Sequence, residues 1–245
     1  LILAKSLMPS SYNLPRLSRE IILDTPYEKL SLQVAQAVAE EIRQKPNCNL
    51  GLPTGRTPIR CYELLSQWSQ NKSLDWSQVK CFALDDYIDA SEEISFSTYL
   101  QTHLYQAAGV CPDSQFNPRF ADDYDGLIAS HGGLDLTIIG IGRNGHIAFN
   151  EPGTQEASWT HCVWLAQSTI KDNFSQESAL AIPKVAVTMG IQTIMNSKRL
   201  ILIANGESKQ AILHQALTGP ISMEVPASIL QKHPNLTVLA DFPWK

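Results

Sequence analysis

The run LDLTIIGIG over 134–142 is the most apolar strand candidate in the chain, and it follows a helical segment over 122–130 that Gly132 and Gly133 stop. A strand that is apolar almost without alternation has both faces covered, as a central parallel strand between two helical layers does. The same alternation of elements extends along the sequence. Helical spacing of Leu30, Leu32, Val34, Ala35, Ala37, Val38 and Ile42 predicts a helix over 27–45, and NCNLGLP then reads as a short buried strand. A helix after Pro58, a strand over 79–84 and a helix over 95–107 follow. In the last third, 185–188, RLILIA and LTVLA read as strands, with helices over 191–196 and 208–217 between them. Strands alternating with helices form βαβ units, so the expected fold class is α/β, with a mostly parallel central sheet.

Residues 154–182, rich in Ser, Thr and Gln and weak in periodicity, are expected to form a mobile lid. No repeat or linker divides the sequence, and 1–245 is read as a single domain. With 44% hydrophobic and 18% charged residues the chain can bury a large core, which excludes disorder. Its 19 basic and 24 acidic residues leave a net charge of -5 and no attraction for a phosphodiester backbone, so no nucleic acid is expected as a partner. No apolar run approaches the roughly 20 residues that cross a bilayer, and the opening LILAKSLMPS has no cleavage-site pattern. The expected setting is therefore cytoplasmic, with no membrane partner. Cys48, Cys61, Cys81, Cys111 and Cys162 include no CxxC pair, which predicts neither a disulfide frame nor a metal site.

Ligands of parallel sheets lie at the carboxyl ends of the strands, and three such ends carry chemistry. In GLPTGRTP, residues Thr54, Gly55, Arg56 and Thr57 stand between a strand and a helix. Free N–H groups, two hydroxyls and a guanidinium at that place suit a phosphate monoester; an ordinary turn with a Thr cap would read the same way. In FALDDY, Asp85 and Asp86 follow a buried strand and diverge, so at most one of them is poised as a base, and Asp86 reads as either a cap or a substrate contact.

IGIGRNGHIAFNEPG contains the spacing GxGxxG, but no helix and no acidic residue follow where a dinucleotide site needs them. It does hold Asn144, His146 and Glu151 in one Gly-flanked loop, a serviceable acid/base unit near neutral pH. Lys209, in NGESKQ, sits in the first turn of a helix, where the macrodipole disfavours a lone cation and an anionic partner would explain it.

GLPTGRTP, ALDDY, SFSTYLQTHL, LTIIGIGRNGHIAFNEPG, NGESKQ and VPASILQKHP, in this order, resemble the glucosamine-6-phosphate deaminase/isomerase family over about 37–241. The sugar-phosphate lactonases of the same superfamily typically read GHTAS where this chain reads GHIAF. The resemblance implies a three-layer, modified Rossmann-like fold. It also implies conversion of an amino-sugar 6-phosphate and water to fructose 6-phosphate and ammonia, with no metal and no cofactor.

Carried over by position, Asp85 resembles the base that moves a proton between C2 and C1. His146 resembles the group that opens the pyranose ring, with Glu151 in support, while Thr54 to Thr57 and Lys209 match phosphate-binding positions. That division of labour suits an aldose-ketose isomerisation, in which one carboxylate moves the carbon-bound proton and a His serves the oxygen.

Two positions depart from the pattern. Asn144 stands where glucosamine-type members usually have Asp, and Ser175 where many have a lid Arg, which would shift phosphate contacts to Arg56 or Lys171. Both departures are shared with the galactosamine-6-phosphate branch, so the epimer stays open. A lactonase and a non-catalytic sugar-phosphate sensor are the rival readings. The longer, allosterically activated hexameric members carry a C-terminal extension that is lacking here, so the expected assembly is a monomer or small homo-oligomer.

Overall fold

The computed structural model describes residues 18–174 and 182–243. Seven strands form one sheet in the order β1 (Ser18–Ile22), β10 (Asn235–Ala240), β9 (Arg199–Ala204), β6 (Leu136–Gly140), β2 (Asn49–Leu52), β3 (Lys80–Ala83) and β5 (Gln115–Phe116). Every pair in it is parallel. The expected central strand is β6, flanked on both sides.

Period-two alternation divides each strand between two cores. Leu50, Cys81, Leu136, Ile138, Ile201 and Ile203 face one core, which includes Leu30, Val34 and Val38 of the helix Tyr27–Gln44 and Tyr62 and Leu65 of the helix Ile59–Gln70. Phe82, Ile139, Leu200, Leu202 and Val238 face the other, with Tyr124 and Ile128 of the helix Tyr124–Ser130 and Leu213 of the helix Gln210–Thr218. Helices on both faces of a parallel sheet make the three-layer α/β fold that the alternation of elements predicts.

Strand order reverses between β2 and β6: the chain builds outward from β2 through β3 to β5, and from β6 through β9 to β10. A crevice opens at such a switch point, where the loops that follow neighbouring strands turn away from each other.

Two features differ from the sequence reading. Val185–Thr188 is a strand (β8), but it belongs to a second, antiparallel sheet with β4 (Asp85–Tyr87) and β7 (His161–Trp164). The chain leaves β3 at Leu84, whose N–H still bonds Leu52 O at 3.2 Å while its carbonyl accepts from Met189 N at 2.7 Å, and it enters β4 at once. The segment read as a lid also contains regular structure that weak periodicity did not mark, since it supplies β7 and the helix Gln167–Phe174. Its residues 175–181, Ser175 among them, lie outside the described residues, as does the opening LILAKSLMPS. No helix among the described residues is long and apolar enough to cross a membrane.

Candidate active site

The loop after β2 turns into the helix Ile59–Gln70 through Gly55, whose φ of +94° a side chain would strain. Tyr27 donates its hydroxyl to Thr57 O at 3.0 Å and to Arg56 O at 3.3 Å, and Tyr99 donates to Gly55 O. With these carbonyls taken, the loop offers its N–H groups and the hydroxyls of Thr54 and Thr57, which no described residue bonds. Across the crevice, Lys209 sits at the start of the helix Gln210–Thr218 and donates to Ile141 O at the end of the central strand. Burial, aided by the nearby Arg143 charge, holds its ammonium down to about 8. A cation kept partly out of water beside a second cation favours an anion between them.

The two carboxylates of β4 part company, because successive strand residues face opposite ways. Asp85 lines the crevice, is 6% exposed, and accepts no hydrogen bond from the described residues. Burial, and then the charge of Asp86, push its carboxyl well above the usual carboxylate range. Once ionised it is a stronger base than a solvated Asp.

Asp86, read from the sequence as either a cap or a substrate contact, is turned away from the crevice and fully buried. Its Oδ1 accepts from Tyr87 N and Phe96 N, both at 2.8 Å, and its Oδ2 from Ser97 N at 3.1 Å and Asn117 Nδ2 at 2.7 Å. Four donors, two of them in the first turn of the helix Phe96–Leu100, make it an anchor of that helix rather than a substrate contact.

The loop after β6 is wound tightly. Gly142 N bonds His146 O at 2.9 Å, Asn150 N bonds Ile147 O at 2.9 Å, and Ala148 takes a φ of +49°. A non-glycine residue in that region carries strain, here in the loop that holds the acid/base groups. The imidazole of His146 lies over Gly142, where a Cβ would come within 2.3 Å of its Cε1. His146 Nδ1 is 3.5 Å from Glu151 Oε2. That same oxygen accepts from Asn144 Nδ2 at 2.8 Å, while Oε1 accepts from Thr169 Oγ1 at 2.6 Å and Ala166 N at 3.3 Å. Burial alone would raise the Glu151 carboxyl; His146 and the hydroxyl and amide donors outweigh it and hold Glu151 at about 2. Glu151 is thus a fixed negative charge behind the imidazole.

These pieces share one crevice of about 210 Å³, lined by Thr54 to Thr57, Asp85, His146 and Lys209. It opens into a wider mouth of about 900 Å³ that adds Arg143, Lys171 and Tyr87. Lys171 and Arg56 are therefore placed where an anion would enter. Asn144 and Glu151 stand behind His146 rather than on the wall. Sequence reading missed Thr169, Arg143 and Asn173. Arg143 lies inside the quoted loop motif and could have been found there. Thr169 and Asn173 lie in a segment without periodicity, where nothing local marks them.

Residues 24–239 match the protein family described as glucosamine-6-phosphate isomerases/6-phosphogluconolactonase. The glucosamine-6-phosphate deaminase of Lachnoclostridium phytofermentans is 40% identical over 234 residues, which cover 91% of this chain and 99% of the relative. Glucosamine-6-phosphate deaminase 2 of Bacillus subtilis is 38% identical, covering 91% and 95%. Among solved structures, a monomeric glucosamine-6-phosphate deaminase superposes with a TM-score of 0.86 at 38% identity, over 90% of this chain and 96% of its own. The 6-phosphogluconolactonase of Thermotoga maritima shares the fold, with a TM-score of 0.71 at 18% identity over 91% and 99%.

Proposed function

The chain belongs to the glucosamine-6-phosphate isomerase/6-phosphogluconolactonase family, and from that membership we propose that it is a glucosamine-6-phosphate deaminase. Glucosamine 6-phosphate and water would give fructose 6-phosphate and ammonia, a net hydrolysis of a C–N bond. One observation carries the reading: a single crevice presents a buried carboxylate, an imidazole backed by a fixed carboxylate, and an anion loop faced by a lysine.

Each group has a task in that reaction. The Thr54 to Thr57 loop and Lys209 hold the phosphate, so that binding energy remote from the chemistry orients the reacting carbons. His146 takes the proton of the anomeric hydroxyl and returns one to the ring oxygen, which opens the pyranose to an aldehyde. Asp85 removes the proton on C2 while the aldehyde oxygen takes a proton from the substrate's ammonium, giving an enolamine with a hydroxyl on C1, and Asp85 then delivers its proton to C1. The nitrogen is then an imine at C2, which water hydrolyses to the ketose and ammonia. No redox step is required.

Asn144 does not count against glucosamine. As an amide it donates to Glu151, a contact that two ionised carboxylates could not make, and relatives at 38–40% identity carry the glucosamine name. The site would take a small molecule in a cytoplasmic setting, and of the two assemblies considered, a monomer or a small homo-oligomer, the monomer is the one in keeping with a relative described as monomeric. The whole chain is read as a single domain, with the helix Gln167–Phe174 as part of a lid.

The test is a paired assay of fructose 6-phosphate and ammonia from glucosamine 6-phosphate, beside ammonia release from galactosamine 6-phosphate. Equal molar release of both products is expected from the first, and Asp85→Asn should lower it about 10²- to 10⁴-fold. Ammonia from the galacto epimer alone would move the substrate. Hydrolysis of 6-phosphogluconolactone without ammonia release would make the chain a lactonase, and binding without turnover would make it a sensor.

A further inference from the structure

Thr169 belongs to no motif quoted above, yet it touches both members of the acid/base pair. It is 2% exposed, on the helix Gln167–Phe174. Its Oγ1 lies 2.6 Å from Glu151 Oε1 and 3.4 Å from His146 Nδ1. A hydroxyl has one proton and two lone pairs. The carboxylate can only accept, so the proton goes to Glu151 and only a lone pair is left to face the imidazole.

The other neighbour of Nδ1 is Glu151 Oε2, also an acceptor, at 3.5 Å. Among the described residues two acceptors and no donor therefore face Nδ1, and the nitrogen satisfies them only by carrying its hydrogen. Nε2 is then the bare nitrogen, free to take a proton from a sugar hydroxyl.

We propose that Thr169 is the positioning residue through which the helix Gln167–Phe174 fixes the Nδ1–H tautomer of His146. The inference rests on the role given to His146 in the proposed function. The same helix is seated on the loop it serves. Ile170 and Phe174 pack with Tyr87 and Phe149, the Tyr87 and Phe174 rings lie 5.5 Å apart, and Asn173 Nδ2 donates to Tyr87 OH at 3.1 Å. Phe149 lies between His146 and Glu151 in sequence, so a shift of the helix moves the packing of the loop and the Thr169 contact together. Seating of the helix and readiness of the imidazole become one event.

Thr169→Val keeps the shape and removes the hydroxyl; Thr169→Ser keeps the hydroxyl. The readouts are kcat and KM for glucosamine 6-phosphate, and the ¹⁵N shifts of the His146 ring at a pH where it is neutral. Thr169→Val is expected to lower kcat about 10- to 100-fold, with KM within about twofold, and to replace the Nδ1–H signal by a mixture of tautomers. Thr169→Ser is expected to keep both wild-type values.

A wild-type kcat in Thr169→Val, a lost rate with the tautomer unchanged, or equal damage in Thr169→Ser would each overturn the proposal. An Nε2–H signal in the wild-type protein would overturn it directly. Wild-type protein without deaminase activity would refute the function instead, and the ring spectra of Thr169→Val against wild type would still decide the tautomer.

Discussion

Asn144 donates its Nδ2 to Glu151 Oε2 across 2.8 Å, so the residue two before His146 satisfies the carboxylate behind the imidazole without adding charge to it. Asn144→Asp would put two carboxyls at that separation, and like charges so close cannot both ionise freely. Glu151, held at about 2 in the wild-type chain, is expected to titrate at a higher pH in the variant. Carbon-detected NMR of the Glu151 carboxyl checks this; an unchanged midpoint would refute it.

Gly142 gives the imidazole its place. Its backbone is outside the left-handed region, so alanine is conformationally allowed there, and the obstacle is the His146 ring, 2.3 to 2.5 Å from where the Cβ would stand. Gly142→Ala is expected to displace the ring and lower kcat about 100-fold, with a stability loss of no more than about 3 kcal/mol. Steady-state kinetics and urea unfolding separate the two effects, and wild-type kcat would show that the ring has room.

Asp86 is predicted to matter for folding rather than for substrate. Asp86→Asn replaces one acceptor oxygen by a donor that faces Ser97 N and Asn117 Nδ2 or, flipped, Tyr87 N and Phe96 N. The expected loss is about 2–4 kcal/mol in urea unfolding, with KM for the folded fraction within about twofold. A variant of wild-type stability and raised KM would return Asp86 to the substrate site.

Asp85 should behave in the opposite way. Its carboxyl is raised in the folded chain by burial and by Asp86, so the folded state binds its proton more tightly than the unfolded state does. Its contribution to stability is present below the unfolded value of about 4 and is lost as pH rises toward the raised folded value. Asp85→Asn removes that loss and is expected to be at least as stable as wild type at neutral pH while losing about 10²- to 10⁴-fold in activity. Thermal unfolding of both proteins at pH 4 and pH 7 gives the comparison, and a variant less stable at pH 7 would contradict it.

Lys209 sets an upper pH limit on capture of the phosphate. Its ammonium is held down to about 8, so in the free enzyme it is charged below that pH and neutral above it. kcat/KM is expected to fall as pH rises through about 8, and Lys209→Met should remove that limb while raising KM. A profile flat to pH 10 in the wild-type protein would show that Lys209 does not hold the anion in its charged form.

The alternation of apolar strands with amphipathic helices determined the α/β class and the central place of 134–142, because period and burial are written into consecutive residues. It also marked Thr54 to Thr57, Asp85, His146, Glu151 and Lys209, each of which stands in a segment that follows a strand of the main sheet. Two things required the tertiary structure. Which of Asp85 and Asp86 faces the crevice follows from β4 leaving the main sheet at Leu84 to pair with β8, about a hundred residues later, and no local pattern encodes that partner. The contact of Thr169 with Glu151 and His146 joins positions 18 and 23 residues apart through packing of a helix that sequence periodicity does not announce. Local propensity acts over a few residues, whereas the choice of which oxygen faces which nitrogen depends on the packing of whole elements.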